Sequence, residues 1–249
     1  MAHGCSGWAA GASAGAGARL DGVEIVFVRH GEPAWAFEGR PEMDPRLTER
    51  GREQARLVAE RLAPRRVDAV LVSPARRARE TAAPLLERLG ARPVIVDDFL
   101  EIRLPDYSQQ SLHDVARVFA EARKRNPEEW WDGIPGGESF RDFRARVERG
   151  VRAMLADHGV EPLPEHHDAL YRETAEPKQR IVVVGHGGTN TVAMGVLLGF
   201  ESAPWEWERF ALHHTGISRL RTIPLGAGVV FSLQAHNDCE HLSRELRTR

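Results

Sequence analysis

The sequence predicts an α/β fold with a mostly parallel central sheet, helices on both faces and a small insert over the carboxyl edge. Three observations carry this reading. The segments Val23–Val28 and Ile181–Val184 are apolar at nearly every position and rich in β-branched residues, as strands buried on both faces are. Around them, short apolar runs alternate with amphipathic ones, the pattern of a sheet wound with helices. Both apolar runs end abruptly in histidine and glycine, as Arg29-His30-Gly31-Glu32 and Gly185-His186-Gly187-Gly188. Ligands of such sheets bind just beyond the carboxyl ends of the strands, so both imidazoles are delivered to one rim.

The elements follow in order. A strand at 23–29 leads into a loop rich in Pro and Gly through Pro45. Thr48 is suited to cap a helix whose Ala55, Val58, Ala59 and Leu62 recur at helical spacing. Val67–Val72 forms a second strand, running into Ser73-Pro74 and a helix to about Leu89. Pro93–Val96 is a short third strand, and 111–125 a helix. Ser139 opens a longer helix, with Asp142 near a capping-box position and Phe140, Phe143, Val147, Val151 and Met154 along one stripe. The prolines at 162, 164 and 177 mark 158–179 as a loop or small lid. A strand at 180–184 and a helix at about 189–198 follow. Ile217–Ile223 and Val229–Gln234 read as a closing hairpin. The organisation expected is one domain over 21–249 with a cap insert at roughly 99–180, preceded by a disordered extension at 1–20.

Composition excludes several classes of function. A net charge of −2 leaves no basic field for nucleic acid. No run approaches the roughly 20 apolar residues that span a membrane, so no membrane partner is expected. Two cysteines in no paired motif fit a reducing, cytoplasmic setting. Exposed faces of the insert could support a homodimer.

The residues at the rim suit an anion. A neutral imidazole can attack phosphorus, and a neighbouring guanidinium holds two phosphoryl oxygens at once. Arg77 and Thr81 lie one turn apart on a helix that begins at another strand's carboxyl end. The small Ala78 and Ala82 beside Arg77 suggest close packing rather than a solvated basic face. Gly187 and Gly188 open a helix after His186, so backbone N–H groups face the same place. Together these pieces make a phosphate pocket with two histidines and two arginines.

With those pieces in place, the chain resembles the histidine phosphatase superfamily, the phosphoglycerate-mutase-like proteins, over residues 23 to about 242. The signature elements stand in order: RHGE at 29–32, DPRLTERGREQA at 44–55, SPARRARETA at 73–82, PGGESF at 135–140 and VVVGHGG at 182–188. NDCEHL at 237–242 resembles the closing segment of phosphatase-type members. The resemblance implies that His30 is a nucleophile that becomes phosphohistidine, and that Arg29, Arg77, His186 and Gly187 bind the phosphoryl group. It implies that Glu101 protonates the leaving oxygen and then activates water; its neighbours Phe99, Leu100 and Ile102 could supply the raised pKa that role needs. No metal and no cofactor enter this scheme.

The chain departs from the family pattern in two places. Ala36 follows Trp35 where many members carry Asn, and Arg103-Leu104-Pro105-Asp106 follows the acid where many carry Gly. Asp106 is therefore a competing proton donor. A phosphoglycerate-type phosphomutase is the nearest alternative, although the Arg directly after the acid and the Tyr-Gly of mutases are missing. A phospho-ligand binding module that keeps only the fold is disfavoured by the intact set of five polar residues. A metal hydrolase is the third alternative, resting on His166-His167, His213-His214 and His236 to His241. None of these has a known ligand spacing.

Overall fold

The computed structural model describes residues 22–165, 167–174 and 179–249. The extension expected at 1–20, and His166 of the first histidine pair, lie outside them. In chain order the strands are β1 (Glu24–Arg29), β2 (Ala36–Phe37), β3 (Arg40–Pro41), β4 (Ala69–Val72), β5 (Val94–Ile95), β6 (Val160–Leu163), β7 (His167–Glu173), β8 (Arg180–Gly185), β9 (Ile217–Leu225) and β10 (Gly228–Asp238). The helices are α1 (Glu49–Leu62), α2 (Arg76–Leu89), α3 (Leu112–Ala122), α4 (Phe140–Asp157), α5 (Gly187–Leu197) and the single turn α6 (Glu206–Arg209).

Local chemistry sets these boundaries. Thr48 Oγ1 accepts from the N–H of Gly51 at 2.9 Å and starts α1. Ser139 Oγ accepts from the N–H of Asp142 at 3.0 Å and starts α4. Each such cap stabilises its helix by about 1 kcal/mol. Gly90, in the left-handed region at φ 60°, ends α2.

The main sheet runs β5-β4-β8-β1-β9-β10-β7-β6. Its core is parallel, as expected, and the sheet as a whole is mixed rather than wholly parallel. The pairs β5–β4, β4–β8 and β8–β1 are parallel, and every pair from β1–β9 to β7–β6 is antiparallel. The parallel half is the one wound with helices. β9 and β10 meet through a short turn, which allows only antiparallel pairing. The loop expected at 158–179 is instead the antiparallel pair β6 and β7. Pro162 lies within β6, the outermost strand, where a missing N–H breaks no ladder.

Side chains alternate along the central strands and build two cores. Ile25, Phe27, Leu71, Ile181 and Val183 face α4 and α5, packing with Phe143, Val147, Val192 and Met194. Val26, Val28, Val70, Val72, Val182 and Val184 face α1 and α2, with Val58, Ala59, Ala78 and Leu85. Helices therefore cover both faces of the parallel half. Burying each of these Val or Leu side chains contributes about 1.5–3 kcal/mol.

Of the segment expected to form the cap, α4 belongs to the core, and β6 and β7 belong to the sheet. Between β5 and α4, α3 carries no buried residue. That stretch is held by a Tyr107–Phe119 ring contact and by the N–H of Glu138 donating to the carbonyl of Arg103 at 2.7 Å.

Candidate active site

β1 and β8 place the two histidines side by side. Their parallel register pairs Arg29 with Gly185, and the next backbone bond runs from the N–H of His30 to the carbonyl of Gly185 at 2.9 Å. The rings of His30 and His186 meet edge to face, 5.2 Å between centroids. Both are buried.

The loop after β1 is held tightly against α1 and α2. A Cβ on Gly31 would stand 2.6 Å from the carbonyl oxygen of Gly51, and one on Gly51 would stand 2.2 Å from that of Glu32. No side chain fits at either position. The N–H of Gly31 donates to Thr81 Oγ1 at 2.9 Å, and Thr81 Oγ1 donates in turn to the carbonyl of Arg77. The pair Arg77 and Thr81 thus bridges the helix to the loop that carries His30.

His30 Nδ1 lies 2.8 Å from the carbonyl oxygen of Gly31, which can only accept. That contact assigns the proton to Nδ1 and leaves the Nε2 lone pair free. Burial, followed by the nearby His186, Arg77 and Arg29, holds the imidazole's pKa well below its ordinary value. His30 is therefore a neutral base with an exposed lone pair, the state a nucleophile needs.

Donors surround it. Ser73 Oγ accepts from the N–H of Ala75 at 3.4 Å and lies 2.7 Å from His186 Nε2. With the hydroxyl proton directed at Nε2, His186 carries its own proton on Nδ1. Burial, then Arg77 and Arg29, keeps this second imidazole neutral too. Arg29 uses one nitrogen on the carbonyl of Leu212 at 2.5 Å. Arg29 Nε, Arg77 Nε and His186 Nδ1 are all buried and have no hydrogen-bond partner among the described residues. The Arg77 guanidinium also stacks under the half-exposed Trp35 ring, 5.1 Å from its centroid. Gly187 brings the first turn of α5 within 3.7 Å of Arg29 Nε, measured from an added Cβ.

Glu101 reaches the same place from the turn after β5. Its Oε2 accepts from the N–H of Gly188 at 2.9 Å, and its Oε1 from the N–H of Ile102 at 3.1 Å and from Thr189 Oγ1 at 3.4 Å. The carboxylate sits at the N-terminus of α5, close enough to Arg29 and Arg77 to raise the pKa of both against the larger lowering by burial. Its shell is made of these donors rather than of the apolar neighbours expected. Phe99 and Ile102 pack into the core instead. Asp106 is exposed and accepts from the N–H of Ser108 at 2.9 Å, and its hydrogen bonds with the backbone and side chain of Ser108 lower its pKa. Among the described residues no hydrogen bond ties Asp106 to the histidines.

A third imidazole was not anticipated at this site. His214 is 3% exposed and its ring lies 5.6 Å from that of His30. Nδ1 bonds Thr248 Oγ1 at 2.8 Å, while burial, then Arg29, lowers its pKa to about 3. Its neighbour His213 bonds Asn237 instead, so the pair splits as adjacent residues on an extended chain do. Thr215, at φ 55°, carries the strain of the turn beside His30, and its N–H donates to the carbonyl of Arg29. Among the described residues no group of three or more His, Cys, Asp or Glu side chains could hold a metal ion. No helix among them is long and apolar enough to cross a membrane.

The model of the histidine phosphatase superfamily (branch 1) matches residues 25–163 of this chain. The chain belongs to that superfamily. It is a hydrolase of phosphoric monoesters by class. It is 35% identical over 175 residues to phosphoglycerate mutase-like protein 4 of Arabidopsis thaliana, covering 68% of each protein. It is 32% identical over 191 residues to glucosyl-3-phosphoglycerate phosphatase of Mycolicibacterium vanbaalenii, covering 73% of this chain and 76% of that protein. Among solved structures, a mycobacterial glucosyl-3-phosphoglycerate phosphatase in complex with inorganic phosphate superimposes with a TM-score of 0.65 at 26% identity. That match covers 91% of this chain and 100% of the other.

Proposed function

We propose that this histidine phosphatase hydrolyses small phosphorylated metabolites through a phosphohistidine on His30. One observation supports this most: a neutral imidazole whose Nε2 bears no proton lies among buried N–H groups of Arg29, Arg77 and His186 that have no partner among the described residues. Three convergent donors match the three equatorial oxygens of a phosphoryl group in flight.

In the first step His30 Nε2 bonds to phosphorus as the bond from phosphorus to the leaving oxygen breaks. Protonated Glu101 gives its proton to that oxygen, and the product alcohol departs. In the second step the Glu101 carboxylate takes a proton from water, the water oxygen bonds to phosphorus, and the N–P bond breaks to release inorganic phosphate. Arg29 and Arg77 neutralise the charge throughout. The phosphatase relatives that act on phosphorylated sugar derivatives support a substrate of that size.

The test is hydrolysis of p-nitrophenyl phosphate in EDTA, wild type beside His30→Ala. Turnover in the wild type alone supports the reading. Equal turnover in both, or loss on adding EDTA, contradicts it. Phosphate transfer between hydroxyls of a phosphoglycerate, faster than its release to water, would make the protein a phosphomutase instead.

A further inference from the structure

One buried guanidinium divides its N–H groups between the Glu138 carboxylate and three backbone carbonyls of the segment that delivers Glu101. Arg146, in the second turn of α4, is buried, as is its partner Glu138 at the side chain. Its Nε donates to Glu138 Oε1 at 2.9 Å and its Nη2 to Glu138 Oε2 at 2.7 Å, the parallel two-bond fork of arginine and carboxylate. Its Nη1 donates to the carbonyls of Asp98 and Leu100, both at 2.9 Å, and Nη2 also reaches the carbonyl of Glu101 at 3.4 Å. Three backbone carbonyls within four residues are thus gathered on one cation.

The rest of α4 reads the same turn. Arg149 grips the Asp98 carboxylate with two nitrogens, at 3.0 and 2.5 Å. At Gly150, four residues after Arg146 and on the same face, a Cβ would stand 2.8 Å from Asp98 Cβ and 2.9 Å from a Phe99 ring carbon. The helix therefore packs against the Asp98 and Phe99 side chains with no room for a side chain at Gly150. Glu138 holds the chain on the far side of Glu101, accepting from the N–H of Arg103 at 3.0 Å. The carboxylate that tops α5 is gripped from before, at and after its own position.

We infer that Arg146, fixed by Glu138, is a positioning residue for the proton donor: it sets the backbone of 98–103 so that the Glu101 carboxyl meets the leaving oxygen. The inference rests on the reading of Glu101 as that donor. A lysine cannot replace Arg146, because one ammonium cannot form the fork and reach three carbonyls together. Arg146 touches no reacting atom, so its loss acts where proton donation limits the rate.

The experiment compares Glu101→Gln, Arg146→Lys, Arg146→Met and Glu138→Gln on p-nitrophenyl phosphate, whose leaving group needs little protonation, and on an alkyl phosphate, whose leaving group needs it fully. Folding is followed by near-UV circular dichroism and melting temperature. The expected result is that Arg146→Met and Arg146→Lys lose at least about tenfold more kcat/KM, which reports the first phosphoryl transfer, on the alkyl phosphate than on the nitrophenyl ester, the pattern of Glu101→Gln. Glu138→Gln, which keeps an acceptor for the fork and is the mildest change to folding, is expected to shift the ratio in the same direction by a smaller factor. Equal losses on both esters in the Arg146 and Glu138 variants, with Glu101→Gln still selective, would overturn the positioning role alone. Equal losses in Glu101→Gln itself would overturn the donor assignment and the inference with it.

Discussion

The N–H of Gly188 donates to Glu101 Oε2 at 2.9 Å, and a Cβ on Gly188 would stand 2.6 Å from Glu101 Oε1. The candidate acid and the helix that follows His186 are thus in contact at a distance only glycine allows. Gly188→Ala is expected to leave the helix intact, since alanine favours it, and to push the carboxyl away. Turnover of alkyl phosphates should fall by about 10–100-fold with little change in melting temperature. Steady-state kinetics beside a thermal melt check this.

Arg77 supplies a buried fork under the Trp35 ring. Arg77→Lys keeps the charge but loses the planar pair of donors. The expected fall in kcat/KM is about 10²–10³-fold, and inhibition by vanadate, which adopts the geometry of the transferred phosphoryl group, should weaken in parallel. Weakened vanadate inhibition with unchanged turnover would count against the assigned role.

Stability should fall with acid, and the sign is set by buried imidazoles. Burial lowers His214 to about 3 and His241 to about 4, and holds His30 and His186 well below their ordinary value. The unfolded chain binds protons at these groups from about pH 6.5 downward while the folded chain does not. Their contribution is complete above that pH and is lost as pH falls toward each folded pKa, at about 1.4 kcal/mol per pH unit for each group. Urea unfolding at pH 7, 6 and 5 reads the slope. His214→Asn should reduce it by one group's share.

Gly51 faces the loop after His30 with no room for a side chain. Gly51→Ala is expected to cost several kcal/mol despite the better helix propensity of alanine, because backbone atoms of Glu32 must move. Chemical denaturation measures the loss. A neutral or stabilising result would show that the loop yields more readily than its packing implies.

Much of this site was legible because the chemistry lay at the ends of strands that cannot be mistaken. Val26, Val28, Val182 and Val184 are apolar on one face and Phe27 and Val183 on the other, so β1 and β8 had to be central, and His30 and His186 had to be neighbours. What escaped depended on contacts far apart in sequence. Arg146 reads as one more charge on an amphipathic helix until the turn at 98–101 folds against it. His214 joins the site only because Thr215 bends the chain beside Arg29. Pro162 argued for a loop, as proline does within a sheet, but β6 is an outermost strand where its missing N–H costs nothing. The closing hairpin of the antiparallel half was legible, but its β6 and β7 strands were not, because an apolar run shows that a strand is buried and not which way its neighbour runs.

The central claim is the bond between phosphorus and His30 Nε2. Rapid quenching of a turnover mixture into alkaline denaturant, followed by digestion and mass spectrometry, tests it directly, since phosphohistidine survives base and is lost in acid. The account predicts one added phosphoryl group on the peptide carrying His30, removed by acid and absent from His30→Ala. Turnover with that peptide unmodified, or with the phosphoryl group on the peptide carrying His186 or His214, would contradict it.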